Sequence, residues 1–215
     1  MKGIFTSLLL LFCISFSSLY AQFNPLGGDN PLQLDGQRGF LIMTAGGLAS
    51  FFASTFSSFR TEDYLYTQHG WYTDGFTETD KQIFFHGVGL EKRLAHWFGV
   101  GVELQIQHIY GSDYANLGGG LMTSYRWLAF GKKQLSPYFE YGAGIFNGIR
   151  EFPEEGTRFT FRLVYKIGLE LTTERGNKIR VAYGHIHQSN NDLFDVNPGY
   201  DGNGISLSYS ALLDR

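Results

Sequence analysis

The chain has 215 residues, of which 17% are charged and 17% aromatic, with 28 glycines and a formal net charge of −3. Soluble domains carry about 25% charged residues, so this composition is poor in charge and rich in rings and glycine. The slight negative charge gives no basis for nucleic-acid binding, and a lone cysteine, Cys13, excludes a disulfide-stapled fold.

Taken in chain order, residues 1–21 read as a secretory signal peptide. Lys2 is its positive start, Ile4 to Phe16 its apolar run, and Leu19-Tyr20-Ala21 ends on a small residue suited to cleavage. Bulky Phe12 before Cys13 argues against lipoprotein processing. The remainder, 22–215, is expected to be one domain. It has no apolar run near the ~20 residues a spanning helix needs.

Period-two alternation dominates this remainder, and no segment shows convincing helical periodicity with caps. The first strand is expected over about Phe40 to Ala53, with a long polar and aromatic loop from Thr55 to Lys81. A second strand is expected from Gln82 to Arg93. From Trp97 to Tyr110, Phe98, Val100, Val102, Leu104 and Ile106 share one face against Gly99, Gly101, Glu103, Gln105 and Gln107. Strands over Leu117 to Phe130 and Leu135 to Phe146 are less clean. From Thr157 to Leu171, apolar Phe159, Phe161, Leu163, Tyr165, Ile167 and Leu169 oppose Arg158, Thr160, Arg162, Lys166 and Glu170. Lys178 to Asn190 and a last strand through Ile205, Leu207 and Tyr209 complete about eight. Short turns alternate with longer loops, glycines recur at alternate positions on the polar faces, and aromatics gather at strand ends. Together these predict an all-β fold, an eight-stranded antiparallel transmembrane β-barrel of the outer membrane. Its polar face would form an interior network of Arg158, Arg162, Lys166, Glu140 and Glu170.

The chemistry-bearing stretch is His187-Gln188-Ser189-Asn190, followed by Asn197-Pro198-Gly199-Tyr200-Asp201. Alternate residues of a strand face one way, about 6.6 Å apart, so His187 and Ser189 share a face and a leaning imidazole bridges the gap. Asp201 has the parity of Ile205 and Leu207, which brings all three groups to the lipid-facing side of the last hairpin. An imidazole, a hydroxyl and a carboxylate are the parts of an activated serine nucleophile. His185 shares the row and is expected to fill space near Tyr183. His69, His86, His96 and His108 show no metal-ligand spacing.

These residues resemble the lipid A deacylase family of outer-membrane barrels, whose members remove the 3-O-linked acyl chain. The family motif is His-x-Ser-Asn, then an Asn-x-Gly turn closely followed by an acid. His187-Gln188-Ser189-Asn190, Asn197-Pro198-Gly199 and Asp201 match it. Gly156-Thr157-Arg158-Phe159 and Pro137-Tyr138-Phe139-Glu140 also look like family strands. The resemblance implies Ser189 as nucleophile, His187 as general base and Asp201 as orienter of the imidazole, with Asn190 and Asn197 holding the oxyanion. It implies lipid A in the outer membrane as substrate and no metal or organic cofactor. Two positions depart from the pattern: the acid is usually Glu, one methylene longer, and Asp192 stands where a glycine usually follows. The competing readings are a non-catalytic adhesin or envelope-structural barrel, binding through Tyr64 to Phe76, and a phospholipase-like esterase on the same scaffold. The oligomeric state is left open, a homo-oligomer included.

Overall fold

In a bilayer every backbone N–H and C=O must find its partner within the protein, and this chain meets that demand by closing its strands into a ring. The computed structural model describes residues 45–53, 62–74, 80–130, 133–153, 155–190, 196 and 198–213. The strands are β1 (Glu62–Asp74), β2 (Gln82–Ala95), β3 (Phe98–Tyr110), β4 (Ala115–Leu128), β5 (Leu135–Phe152), β6 (Thr157–Thr172), β7 (Lys178–Ser189) and β8 (Tyr200–Leu212). They form a closed antiparallel barrel in chain order, with β8 returning to pair with β1. The signal-peptide reading of residues 1–21 lies outside the described residues.

The alternation has the orientation that lipid requires. Leu104, Ile106, Ile167, Leu169, Val181, Ile205 and Leu207 are exposed, while Glu91, Glu103, Arg126, Glu140, Arg162, Lys166, Glu170 and Arg180 are buried inside. Aromatic rings gather at both ends of this apolar belt. Trp71 stacks on Phe84 at the loop end, with ring centroids 5.8 Å apart, and Trp127 on Phe139 at the turn end, also at 5.8 Å. Such girdles are the mark of outer-membrane barrels.

The interior is filled in two layers. Toward the short turns, Glu91 accepts hydrogen bonds from Arg93 (3.1 Å), Arg180 (2.7 Å) and Arg126. Glu170 bridges Arg93 and Arg180, and Glu140 bridges Arg126 and Lys166. Toward the loops, Tyr72, Ile83, Phe85, Ile109, Met122, Phe146, Val164, Ile186 and Tyr200 pack as an apolar plug. Arg158, expected within the network, is instead exposed at the outer end of β6. Strand β7 turns Gly184 toward this narrow interior, and an added Cβ there would lie 2.6 Å from the Tyr165 carbonyl oxygen. Gly184→Leu is therefore expected to prevent barrel closure, seen as loss of the heat-modifiable gel shift.

Two expectations are corrected near the start of the chain. Residues 45–53, assigned to a first strand, are helical, and the true first strand falls within the presumed loop, at Glu62–Asp74. The supposed adhesive segment from Tyr64 onward is therefore barrel wall as far as Asp74, and Phe76 lies outside the described residues. The helix rests on the outside of the barrel. Gly47 faces Thr123 and Tyr125, close enough that a Cβ would meet the Thr123 Cβ at 3.0 Å. Phe51 joins outward-facing Phe98, Val100 and Tyr125 in a buried cluster, and Lys92 Nζ lies 5.6 Å from its ring. With two adjacent glycines the segment has little intrinsic helicity, so docking on the wall sustains it.

Candidate active site

β7 and β8 are paired so that His187 lies directly opposite Asp201, and His185 opposite Asn203. On its other edge β7 sets Ser189 against Phe161 and His187 against Leu163 of β6. All these side chains take the outward parity of Val181 and Tyr183, so the group stands on the outer wall near the loop end. The expected convergence of Ser189, His187 and Asp201 is what the structure contains.

The distances are those of a hydrogen-bonded relay. His187 Nε2 is 3.1 Å from Ser189 Oγ, and His187 Nδ1 is 2.9 Å from Asp201 Oδ1. With the Nδ1 proton directed at the carboxylate, Nε2 is left as an acceptor for the serine hydroxyl proton. The shorter acid reaches its partner because the register places it directly across the ladder, where side chains on one face are about 5 Å apart at Cβ. His187 and Asp201 keep 30% and 29% of their side chains exposed, whereas Ser189 is shielded. The turn after β7 returns to the imidazole at Gly199, where a Cβ would stand 3.2 Å from His187 Cε1. Glycine there leaves the ring its place.

Asn190 is buried beyond the end of β7, and its Nδ2 donates to the Val196 carbonyl at 2.6 Å. Its amide thus anchors the loop that leads to β8. Asn197, the second residue assigned to the oxyanion, lies outside the described residues, as do Asp192 and Asp195.

Two features escaped the sequence reading. His185, read as filling space, instead holds Asp201 and Asn203. Applying the parity rule once more on each strand, two residues before His187 and two after Asp201, would have found this pair. The other feature lies inside the barrel. Gln188 points inward between the two outward catalytic candidates. Its Oε1 accepts from Arg162 Nε at 3.0 Å and Nη2 at 2.6 Å, and its Nε2 donates to Thr160 Oγ1 at 2.8 Å. Arg162 also donates to Gln105 and Gln107, and its guanidinium lies 4.0 Å from the Phe146 ring. The strand segment carrying His187 and Ser189 is thereby pinned from behind. The histidines His69 and His86, scattered in sequence, are register partners on the outer wall with their Nδ1 atoms 2.7 Å apart. Among the described residues no group of three or more His, Cys, Asp or Glu is placed to hold a metal ion.

The family profile of the lipid A 3-O-deacylase (PagL) matches residues 84–210, from β2 through most of β8. The chain belongs to the lipid A 3-O-deacylase family. The matched span includes Ser189, His187 and Asp201. Among solved structures the barrel is similar to the outer-membrane enzyme PagL at 14% identity, covering 66% of this chain and 97% of that one with a TM-score of 0.51. It is also similar to Neisserial surface protein A (NspA) at 9% identity, covering 71% of this chain and 97% of that one with a TM-score of 0.50. These likenesses establish the fold, an eight-stranded outer-membrane barrel. No curated protein matches the chain. This member of the lipid A 3-O-deacylase family resides in the outer membrane, with its Ser189–His187–Asp201 group on the lipid-facing wall.

Proposed function

We propose that the protein hydrolyses the ester linking the 3-O acyl chain to lipid A, with Ser189 as nucleophile. Ser189 Oγ attacks the acyl carbonyl carbon while its proton passes to His187 Nε2. Asp201 accepts the Nδ1–H throughout and stabilises the imidazolium. The tetrahedral intermediate collapses when the glucosamine 3-oxygen departs and takes the proton from His187, leaving the acyl group on Ser189. Water then attacks, gives its proton to His187, and the fatty acid is released as Ser189 recovers its own. Asn190, anchored on the Val196 carbonyl, and Asn197 are assigned to the oxyanion. The substrate arrives sideways through the outer leaflet, because the three groups stand on the wall and the lumen behind them is filled. The mature chain would begin near Gln22 and form one barrel domain.

The observation that carries this reading is the His187 imidazole suspended between a hydroxyl and a carboxylate on a lipid-exposed surface. Ionisable groups are costly on such a face and are retained for function. The test is fatty-acid release from purified lipid A in mixed micelles, with mass spectrometry of lipid A from cells with and without the protein. Loss of one 3-O acyl chain is expected. Lipid A left intact by the folded barrel overturns the proposal, and release of fatty acid from phospholipid alone replaces it with the phospholipase.

Asp201 supplies a sharper expectation. Asp201→Asn preserves the shape but lets His187 adopt the wrong tautomer, and losses of roughly 10²- to 10⁴-fold in turnover are expected from such a change. Asp201→Glu keeps the charge and is expected to lose far less. Equal activity in Asp201→Asn and the parent would remove this residue from the mechanism.

A further inference from the structure

His185 and Asn203 extend the relay by one more rung of the same ladder. Asp201 Oδ1 lies 2.9 Å from His187 Nδ1 and also 3.2 Å from His185 Nε2. The other ring nitrogen, His185 Nδ1, is 3.1 Å from Asn203 Oδ1. The register pairs His185 with Asn203 and His187 with Asp201, so the four side chains share one face of two neighbouring rungs, and their contacts run from His187 through Asp201 and His185 to Asn203. Their neighbours on the same row, Tyr183 and Ile205, are exposed to lipid.

We infer that His185 is a positioning residue for the reaction, fixing the Asp201 carboxylate on which His187 depends. The inference rests on the assignment of Ser189, His187 and Asp201 to ester hydrolysis. A terminal carboxylate turns in a broad torsional well, and a partly exposed one divides its time among several partners. A second donor narrows that choice to the orientation in which Oδ1 receives the His187 proton. The contact survives either charge state of His185. When neutral, the ring donates through Nε2 to Asp201 and accepts at Nδ1 from the Asn203 amide turned by 180°. When cationic, both N–H groups donate, one to Asp201 and one to Asn203 Oδ1. A space-filling residue at this position would be better served by an aliphatic or tyrosine side chain, as its neighbours Val181 and Tyr183 show, because an imidazole facing lipid without partners is costly.

The experiment measures kcat and KM for fatty-acid release from lipid A in mixed micelles. It uses folded full-length barrels of the parent, Ser189→Ala, His185→Phe, His185→Gln, Asp201→Asn and the His185→Phe/Asp201→Asn double variant. Phenylalanine suits the lipid-facing wall, so folding should be retained and is checked by heat modifiability. His185→Phe is expected to lower kcat by about 10- to 100-fold, the size of coupling between contacting groups, with little change in KM. His185→Gln, whose amide N–H still reaches Asp201, should recover most of that loss. In the Asp201→Asn background, His185→Phe should have hardly any further effect, because the residue acts only through the carboxylate. Full activity in His185→Phe, an effect confined to KM, a Gln variant no better than Phe, or an undiminished loss in the Asp201→Asn background each overturns the inference. A parent protein no more active than Ser189→Ala would instead overturn the deacylase reading itself.

Discussion

Ser189→Ala and His187→Ala are each expected to lower fatty-acid release by roughly 10³- to 10⁶-fold, and the double variant to be hardly worse. A nucleophile and its base act as a unit. Without the hydroxyl there is nothing for the imidazole to deprotonate, and without the imidazole the hydroxyl meets the ester as a weak alcohol. Whatever rate survives would come from binding and from the proposed oxyanion donors, which all three variants keep. The barrel should remain intact, because both side chains stand on the outer wall while the polar contacts that pin this strand run through inward-facing Gln188. Heat modifiability of the purified variants separates loss of chemistry from loss of fold. Normal release by Ser189→Ala removes the enzymatic reading, and additive losses in the double variant remove the idea that the pair acts together.

Arg162 and Gln188 show why such a site is only partly legible in a sequence. Parity along one strand, with the motif, sufficed to bring His187, Ser189 and Asp201 onto one face, since each rests on local spacing and the closure of a single hairpin. Seven of the eight strands were legible for the same reason. Arg162 stands directly across the β6–β7 ladder from Gln188, but its further bonds to Gln105 and Gln107 depend on how the barrel curves β3 across the lumen toward β6, and no spacing along one strand encodes that. β1 was obscured because its inward row carries the aromatic Tyr64, Tyr66 and Tyr72 while its outward row mixes Leu65 and Trp71 with Thr67 and His69, so the alternation fades. The helix at 45–53 was missed because its stability comes from Tyr125, Val100 and Phe98 on the wall, while its own glycines argue against it. Asp201 is one methylene shorter than the family's usual glutamate. The ladder that sets His187 opposite Asp201 supplies the reach the side chain lacks.

Glu91→Ala is expected to be the most damaging change away from the face that carries Ser189, His187 and Asp201. Glu91 is buried and takes hydrogen bonds from three guanidinium groups, those of Arg93, Arg126 and Arg180. Its removal leaves Glu140 and Glu170 to balance these arginines together with Lys166 and Lys178. Breaking a buried ion pair by deleting one partner costs about 3–5 kcal/mol, chiefly because the surviving charge stays desolvated. The turn-end layer of the barrel is a network rather than a pair, so water entering from the open end at the short turns can moderate the loss without cancelling it. Glu91→Gln keeps the volume and part of the hydrogen bonding, and should lie between the parent and Ala. Leu104→Ala, on the lipid-facing wall, should cost much less because it strands no charge. The measurement is urea unfolding in detergent or liposomes, followed by tryptophan emission and the gel shift of the folded barrel. Those Glu91→Ala molecules that do fold should release fatty acid near the parent rate, since Glu91 touches none of Ser189, His187 and Asp201. Stability equal to the parent would mean that the arginines, rather than this carboxylate, hold the turn-end layer together.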